Sequence, residues 1–117
     1  MNVITVAAAI ILDEQQQLLL VRKKNTQFFT QVGGKLELDE LPEQTMLREI
    51  KEEIGVDATI EQFVGRFETR AANEADHLLV SYVYHVSIDQ VPRIDAEIAE
   101  MKWVSLEANQ AFLAPLT

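Results

Sequence analysis

Cysteine is absent from the 117-residue chain, which excludes disulfides and thiolate metal sites. Long apolar runs are absent as well. The longest, VITVAAAIIL (Val3–Leu12), is half of the roughly 20 residues that span a bilayer. Its β-branched content reads as a buried strand. No basic segment precedes it, so no signal peptide is expected, and the chain is expected in the cytoplasm. Positive charge is scarce: ten Lys and Arg face nineteen Asp and Glu, a formal net charge of −9. Such a balance lacks the basic footprint that binding to a nucleic-acid polymer requires. It would also repel a phosphorylated small molecule, unless a divalent cation mediates. Linkers, repeats and low-complexity tracts are missing, and the length suits one domain spanning residues 1–117.

What is present is an α+β pattern. DEQQQ (Asp13–Gln17) reads as a turn between Val3–Leu12 and a second strand, LLLVRK (Leu18–Lys23). NTQFFTQVGG (Asn25–Gly34) reads as a loop holding a short strand at Phe28–Gln31. A helix is expected from Pro42, well placed at a first helical position, to a stop at Gly55. Met46, Leu47, Ile50 and Ile54 fall on one arc of it, and Glu49, Glu52 and Glu53 share another. Strands are predicted at Val56–Arg70, bending at Gly65, at His77–Ile88 and at Met101–Leu106, with a polar loop at Ala71–Asp76. Asp89–Glu100 reads mostly as loop. Glu107–Ala114 reads as a short helix ended by Pro115.

The stretch GGKLELDELPEQTMLREIKEEIGV (Gly33–Val56) holds seven acids and three bases. Like charges at i, i+4 on a helix repel by tenths of a kcal/mol. Two readings account for Glu49, Glu52 and Glu53: a solvated face, or a site for a hard divalent cation. Mg²⁺ and Mn²⁺ take oxygen ligands and are commonly shared between carboxylates and substrate phosphates. A Ca²⁺ loop of the EF-hand kind is not supported, because the alternating oxygen ligands and central glycine are missing.

The spacing weighs between the two. Gly34, five residues, Glu40, seven residues, then Arg48-Glu49-Ile50-Lys51-Glu52-Glu53-Ile54-Gly55-Val56 fills every fixed position of the Nudix box, G-x5-E-x7-R-E-U-x-E-E-x-G-U, U being aliphatic. The chain therefore resembles the Nudix hydrolase family. GGK followed by LELDELPEQ looks most like its MutT-like branch, and EIAEMKWVSL (Glu97–Leu106) is similar to a common late segment of the family.

The resemblance implies an α/β/α sandwich with a mixed β-sheet and a loop–helix–loop catalytic motif. It implies hydrolysis, with Mg²⁺ or Mn²⁺, of a nucleoside diphosphate linked to another group, including an oxidised or ordinary nucleoside triphosphate. Alternatives within it are nucleotide sugars, dinucleotides, or a non-catalytic sensing domain. Carried over residue by residue, Glu49, Glu52 and Glu53 are the expected metal ligands, one of which could assist the attacking water. A carbonyl of Gly33 or Gly34, and Glu97, are candidate further ligands, Glu97 ahead of Glu100. Arg48 is expected to orient the glutamates, Glu40 to support the site or pair with Arg48, and Lys35 to reach a phosphate. Phe28 and Phe29, before the box, are the foremost candidates to stack on a base, ahead of Phe67, Tyr82 and Tyr84. His77 and His85 have no partner at metal-ligand spacing, and Trp103 is expected in the core. The chain is expected to be a monomer or homodimer. Three departures concern the loop: Asp39 stands in place of a frequent Gly, Val32 of a frequent Pro, and Leu41 of a frequent capping Ser or Thr.

Overall fold

The structure is a computed structural model and describes residues 2–70, 77–95 and 97–105. Among the described residues, six strands and one helix follow in the order β1 (Asn2–Ile11), β2 (Gln17–Lys23), β3 (Val32–Lys35), α1 (Pro42–Ile54), β4 (Ala58–Arg70), β5 (His77–Ile88) and β6 (Ile98–Ser105). Four strands form a mixed sheet in the order β3-β1-β5-β4. Only the β1–β5 pair in it is parallel. β2 and β6 form a separate antiparallel pair. The turn between β1 and β2 lies where it was expected. The Asp13 carboxylate accepts from the N–H groups of Gln15 and Gln17, at 2.9 and 2.8 Å.

Alternation along the strands builds the core. Ala7, Ala9 and Ile11 of β1 turn toward α1, with Leu19 and Val21 of β2, Val32, Tyr84 and Val86. They bury Met46, Ile50 and Ile54 of the helix, and Trp103 packs against the same cluster. Leu18, Leu20 and Val104 form a second cluster, against which Ile10, Leu12 and Phe29 pack.

Pro42 opens α1 and Gly55 closes it in the left-handed region (φ 70°), its N–H donating to the Lys51 carbonyl at 3.1 Å. Leu41 at the N-cap has no side-chain acceptor. One half of a capping box remains, since Gln44 Oε1 accepts the Leu41 N–H at 2.9 Å. Asp39 adopts φ 64°, which accounts for the frequent glycine there.

Several expectations are corrected. The short strand is not Phe28–Gln31 but Val32–Lys35, so the glycine pair lies in β3 rather than in a loop. Thr30 contributes only an isolated bridge to Val21. Position 33 takes only glycine, because β1 runs so close that a Cβ would lie 2.1 Å from the Ala7 carbonyl oxygen. β6 begins at Ile98, inside the expected loop, because it pairs back to Lys23. The expected bend in β4 takes the form of two register shifts against β5, between Ile60 and Gln62 and between Phe63 and Gly65. In α1, Leu47 is exposed and Glu53 is buried. At about 100° per residue Glu53 falls about 20° from Met46, inside the buried arc, whereas Leu47 falls about 100° away at its margin. The loop at Ala71–Asp76, the helix at Glu107–Ala114 and the last residue of the expected Met101–Leu106 strand lie outside the described residues.

Candidate active site

One face of α1, the turn before it, the end of β2 and the β5–β6 connection form an open cleft of about 380 Å³ lined by Lys23, Glu37, Arg48, Glu49, Glu52, Glu53 and Glu97. The helix positions four of these, and the other three arrive by separate routes. Lys23 ends β2. Glu37 sits in the turn before α1, where its N–H donates to Glu40 Oε1 at 3.0 Å. Glu97 is delivered by the β5–β6 connection, which docks on the C-terminal end of α1. The N–H groups of Arg93 and Asp95 donate to the carbonyls of Ile54 and Glu53 at 2.9 and 3.1 Å, filling acceptors that a helix end leaves open. The Glu97 carbonyl in turn accepts the Lys24 N–H at 2.7 Å.

Arg48 is the hub. It holds Glu40 through two parallel hydrogen bonds, Nε to Oε2 at 2.8 Å and Nη2 to Oε1 at 2.9 Å. Its Nη1 lies 2.7 Å from Glu49 Oε1, 3.4 Å from Glu52 Oε2 and 3.7 Å from Glu37. The bidentate pair is the strong form of this contact. With the Thr45 hydroxyl donating to Glu40 at 2.6 Å, it holds the Glu40 carboxyl down at about 2.

Glu53 is opposite in character. It is 5% exposed, and burial pushes its carboxyl up to about 7. The charge of Glu49 pushes the same way, while Lys23 and the Gly33 N–H oppose it. Lys23 Nζ lies 3.6 Å from Glu53 Oε2, and the Gly33 N–H donates to Oε1 at 3.3 Å. Gly34 leaves room for the neighbouring carboxylate, since a Cβ there would stand 2.7 Å from the Glu49 carboxyl carbon.

Among the described residues, no three acidic or histidine side chains form a ready-made cage for an ion. The donor set nevertheless suits a hard divalent cation. It is made wholly of carboxylates, and one of them is buried beside another of like charge, a conflict that a cation reverses in sign.

Of the residues singled out from sequence, Glu49, Glu52, Glu53, Arg48 and Glu97 meet at the cleft, with Glu40 behind Arg48 and the Gly33–Gly34 backbone against Glu53 and Glu49. Lys35, Phe28 and Phe29 do not line it. Phe29 packs against Leu18 and Leu20, with Lys102 Nζ 4.0 Å from its ring centroid. Phe28 and Lys35 are exposed. Glu100 pairs with Arg22 at 2.7 Å, away from the cleft. Sequence reasoning missed Lys23 and left Glu37 without a role. Lys23 carried a signal, because it continues the Leu19–Val21 face of β2 toward the helix.

The NUDIX domain family profile matches residues 1–116. The chain belongs to this family. Over 54 residues it is 35% identical to the CTP pyrophosphohydrolase of Escherichia coli (strain K12), covering 46% of this chain and 38% of that protein. Over 32 residues it is 59% identical to the 8-oxo-dGTP diphosphatase of Proteus vulgaris, covering 27% of this chain and 29% of that protein. The matched stretches thus span well under half of either relative. The solution structure of the E. coli ORF135 protein is similar throughout, with a TM-score of 0.80, 28% identity, and coverage of 99% of this chain and 84% of that one. The fold is accordingly the Nudix α+β sandwich, and the cleft lies on its box helix.

Proposed function

We propose that this chain is a metal-dependent hydrolase that cleaves a diphosphate linkage in a nucleoside diphosphate joined to another group, a nucleoside triphosphate above all. The observation that carries the reading is the convergence of Glu49, Glu52, Glu53 and Glu97 on one cleft beside Arg48 and Lys23. The names of the two partial relatives support the triphosphate as substrate. Glu49, Glu52 and Glu53, with Glu97 and a Gly33 or Gly34 carbonyl as further donors, would hold Mg²⁺ or Mn²⁺. Such an ion, when bound, neutralises phosphate charge and makes a bound water acidic enough to act as nucleophile near neutral pH.

The chain's own groups do the positioning. Arg48, fixed by Glu40, orients the carboxylates of Glu49 and Glu52. Glu53, buried and high in proton affinity when no metal is bound, is disposed to ionise once a cation is near. Lys23 and Arg48 offer positive charge to phosphate oxygens in an otherwise acidic cleft. Lys35, Phe28 and Phe29 would take part only through a substrate that extends past the cleft. A small nucleotide, rather than a nucleic-acid polymer, suits a chain of net charge −9. No described helix is long and apolar enough to cross a membrane, and a cytoplasmic site of action accords with a nucleotide substrate.

The test is turnover of a panel of nucleoside triphosphates, oxidised dNTPs, nucleotide sugars and dinucleotide polyphosphates with Mg²⁺ or Mn²⁺. Two phosphorylated products are expected from at least one member. Glu52→Gln and Glu53→Gln should each lower that rate by about a hundredfold or more with circular dichroism unchanged. Near-wild-type rates in both variants would sink the assignment.

A further inference from the structure

The three helix carboxylates assigned above to the metal each have a protein cation beside them. Glu49 and Glu52 meet Arg48 Nη1 at 2.7 and 3.4 Å, and Glu53 meets Lys23 Nζ at 3.6 Å. The two cations are held differently. Arg48 is clamped to Glu40 by two hydrogen bonds and is bound to follow the helix. Lys23 reaches Glu53 on a flexible four-carbon stem, with its side chain 43% exposed. The contact is longer than a hydrogen bond.

The backbone aims Lys23 at this place. Leu19 and Val21 on the same face of β2 are core residues under α1, and Lys23 is the next in that row. The ladder to β6 shifts there: Arg22 pairs with Glu100, but Lys23 pairs with Ile98, leaving Ala99 without a partner. Arg22, on the opposite face, is engaged by Glu100. A bulge beside a cleft commonly re-aims a side chain.

We propose that Lys23 is a resident counter-ion of Glu53 that a divalent cation displaces, and that the freed ammonium then binds a phosphate oxygen of the substrate. The inference rests on the metal-centre reading above. An ammonium and a divalent cation on one carboxylate repel each other. The more mobile charge, Lys23, gives way, and its stem lets it turn within the cleft it lines. A cleft of about 380 Å³ leaves room for a diphosphate. Metal and diphosphate then bind cooperatively. The ammonium opposes the metal when alone, yet gains a partner once phosphate is present. By reciprocity the coupling is the same from either side.

The test is Mn²⁺ affinity, read by electron paramagnetic resonance and corrected for any Mn²⁺ complex formed in solution. It compares wild type, Lys23→Met, Lys23→Arg and Lys51→Met, with and without imidodiphosphate as a non-hydrolysable probe. Lys51→Met removes the same charge from α1 outside the cleft lining. We expect Lys23→Met alone to bind Mn²⁺ about fivefold more tightly. Imidodiphosphate should tighten Mn²⁺ on wild type and Lys23→Arg by about fivefold more than on Lys23→Met, where only the direct attraction of metal and phosphate remains. If Lys23→Met matches Lys51→Met, or is tightened by imidodiphosphate as much as wild type, the counter-ion role is overturned while the metal centre stands. Absence of Mn²⁺ binding to wild type overturns both.

Discussion

Glu53 is 5% exposed, yet its ionised form needs water or a cation around it. Without metal, burial lifts its carboxyl from 4.5 to about 7. Below pH 4.5 it is neutral both folded and unfolded and contributes nothing. Between 4.5 and 7 the unfolded chain loses the proton while the folded chain keeps it. Folding is therefore increasingly opposed as pH rises, by up to about 3 kcal/mol above pH 7. Glu53→Gln removes the titrating group. In metal-free protein it should raise the melting temperature at pH 8 and leave it nearly unchanged at pH 4. Thermal unfolding followed by circular dichroism across that range checks this. An equal effect at both pH values would mean that burial of the charge is not the cause. Glu40 shows the contrary arrangement, with its carboxyl held near 2 by Arg48 and Thr45. The two box glutamates thus differ: Glu40 is fixed by a bidentate arginine, whereas Glu53 is buried with only a distant lysine and one N–H beside it.

At the scale of elements, β3 carries two adjacent glycines for two different reasons. A Cβ on Gly33 would stand 2.1 Å from the Ala7 carbonyl, so β1 and β3 would have to part. A Cβ on Gly34 would meet the Glu49 carboxylate, the movable end of a side chain. Gly33→Ala should therefore cost about 3 kcal/mol of stability. Gly34→Ala should melt close to wild type and lose about tenfold or more in turnover, because Glu49 is pushed off Arg48. Equal melting losses in the two variants would contradict this division. The same pair shows what the sequence could and could not reveal. Pro42, Gly55 and the box spacing are local signals, and the helix emerged from them with its ends correct. Phe28 and Phe29 drew the strand expectation away from Val32–Lys35. A strand containing two glycines forms here by pairing with Ala7 and Ala8 of β1, a long-range fact. The place of Lys23 likewise depends on the β2–β6 register. Glu37 enters the cleft only because the turn before α1 folds back on Arg48.

For the molecule as a whole, the net charge of −9 includes a cleft where five glutamates, Glu37, Glu49, Glu52, Glu53 and Glu97, face two cations, Lys23 and Arg48. Any ion bound there in the native state, and not by the unfolded chain, stabilises the fold by mass action. At a hundred times its dissociation constant the gain is about 2.7 kcal/mol, a melting rise on the order of 10 °C for a chain of this length. Mn²⁺ or Mg²⁺ should produce that rise at pH 7.5, whereas NaCl at equal ionic strength should not, since screening relieves only diffuse repulsion. The rise should fade as the solution is made acid, because protons then compete for the carboxylates that hold the ion. Glu49→Gln and Glu52→Gln should each diminish it, and Glu52→Gln should do so without lowering the metal-free melting temperature, for its side chain is 53% exposed. Differential scanning fluorimetry over metal concentration and pH supplies the measurement. A melting rise that NaCl reproduces, or that survives in both variants, would place the stabilising ions on the general acidic surface rather than in the cleft.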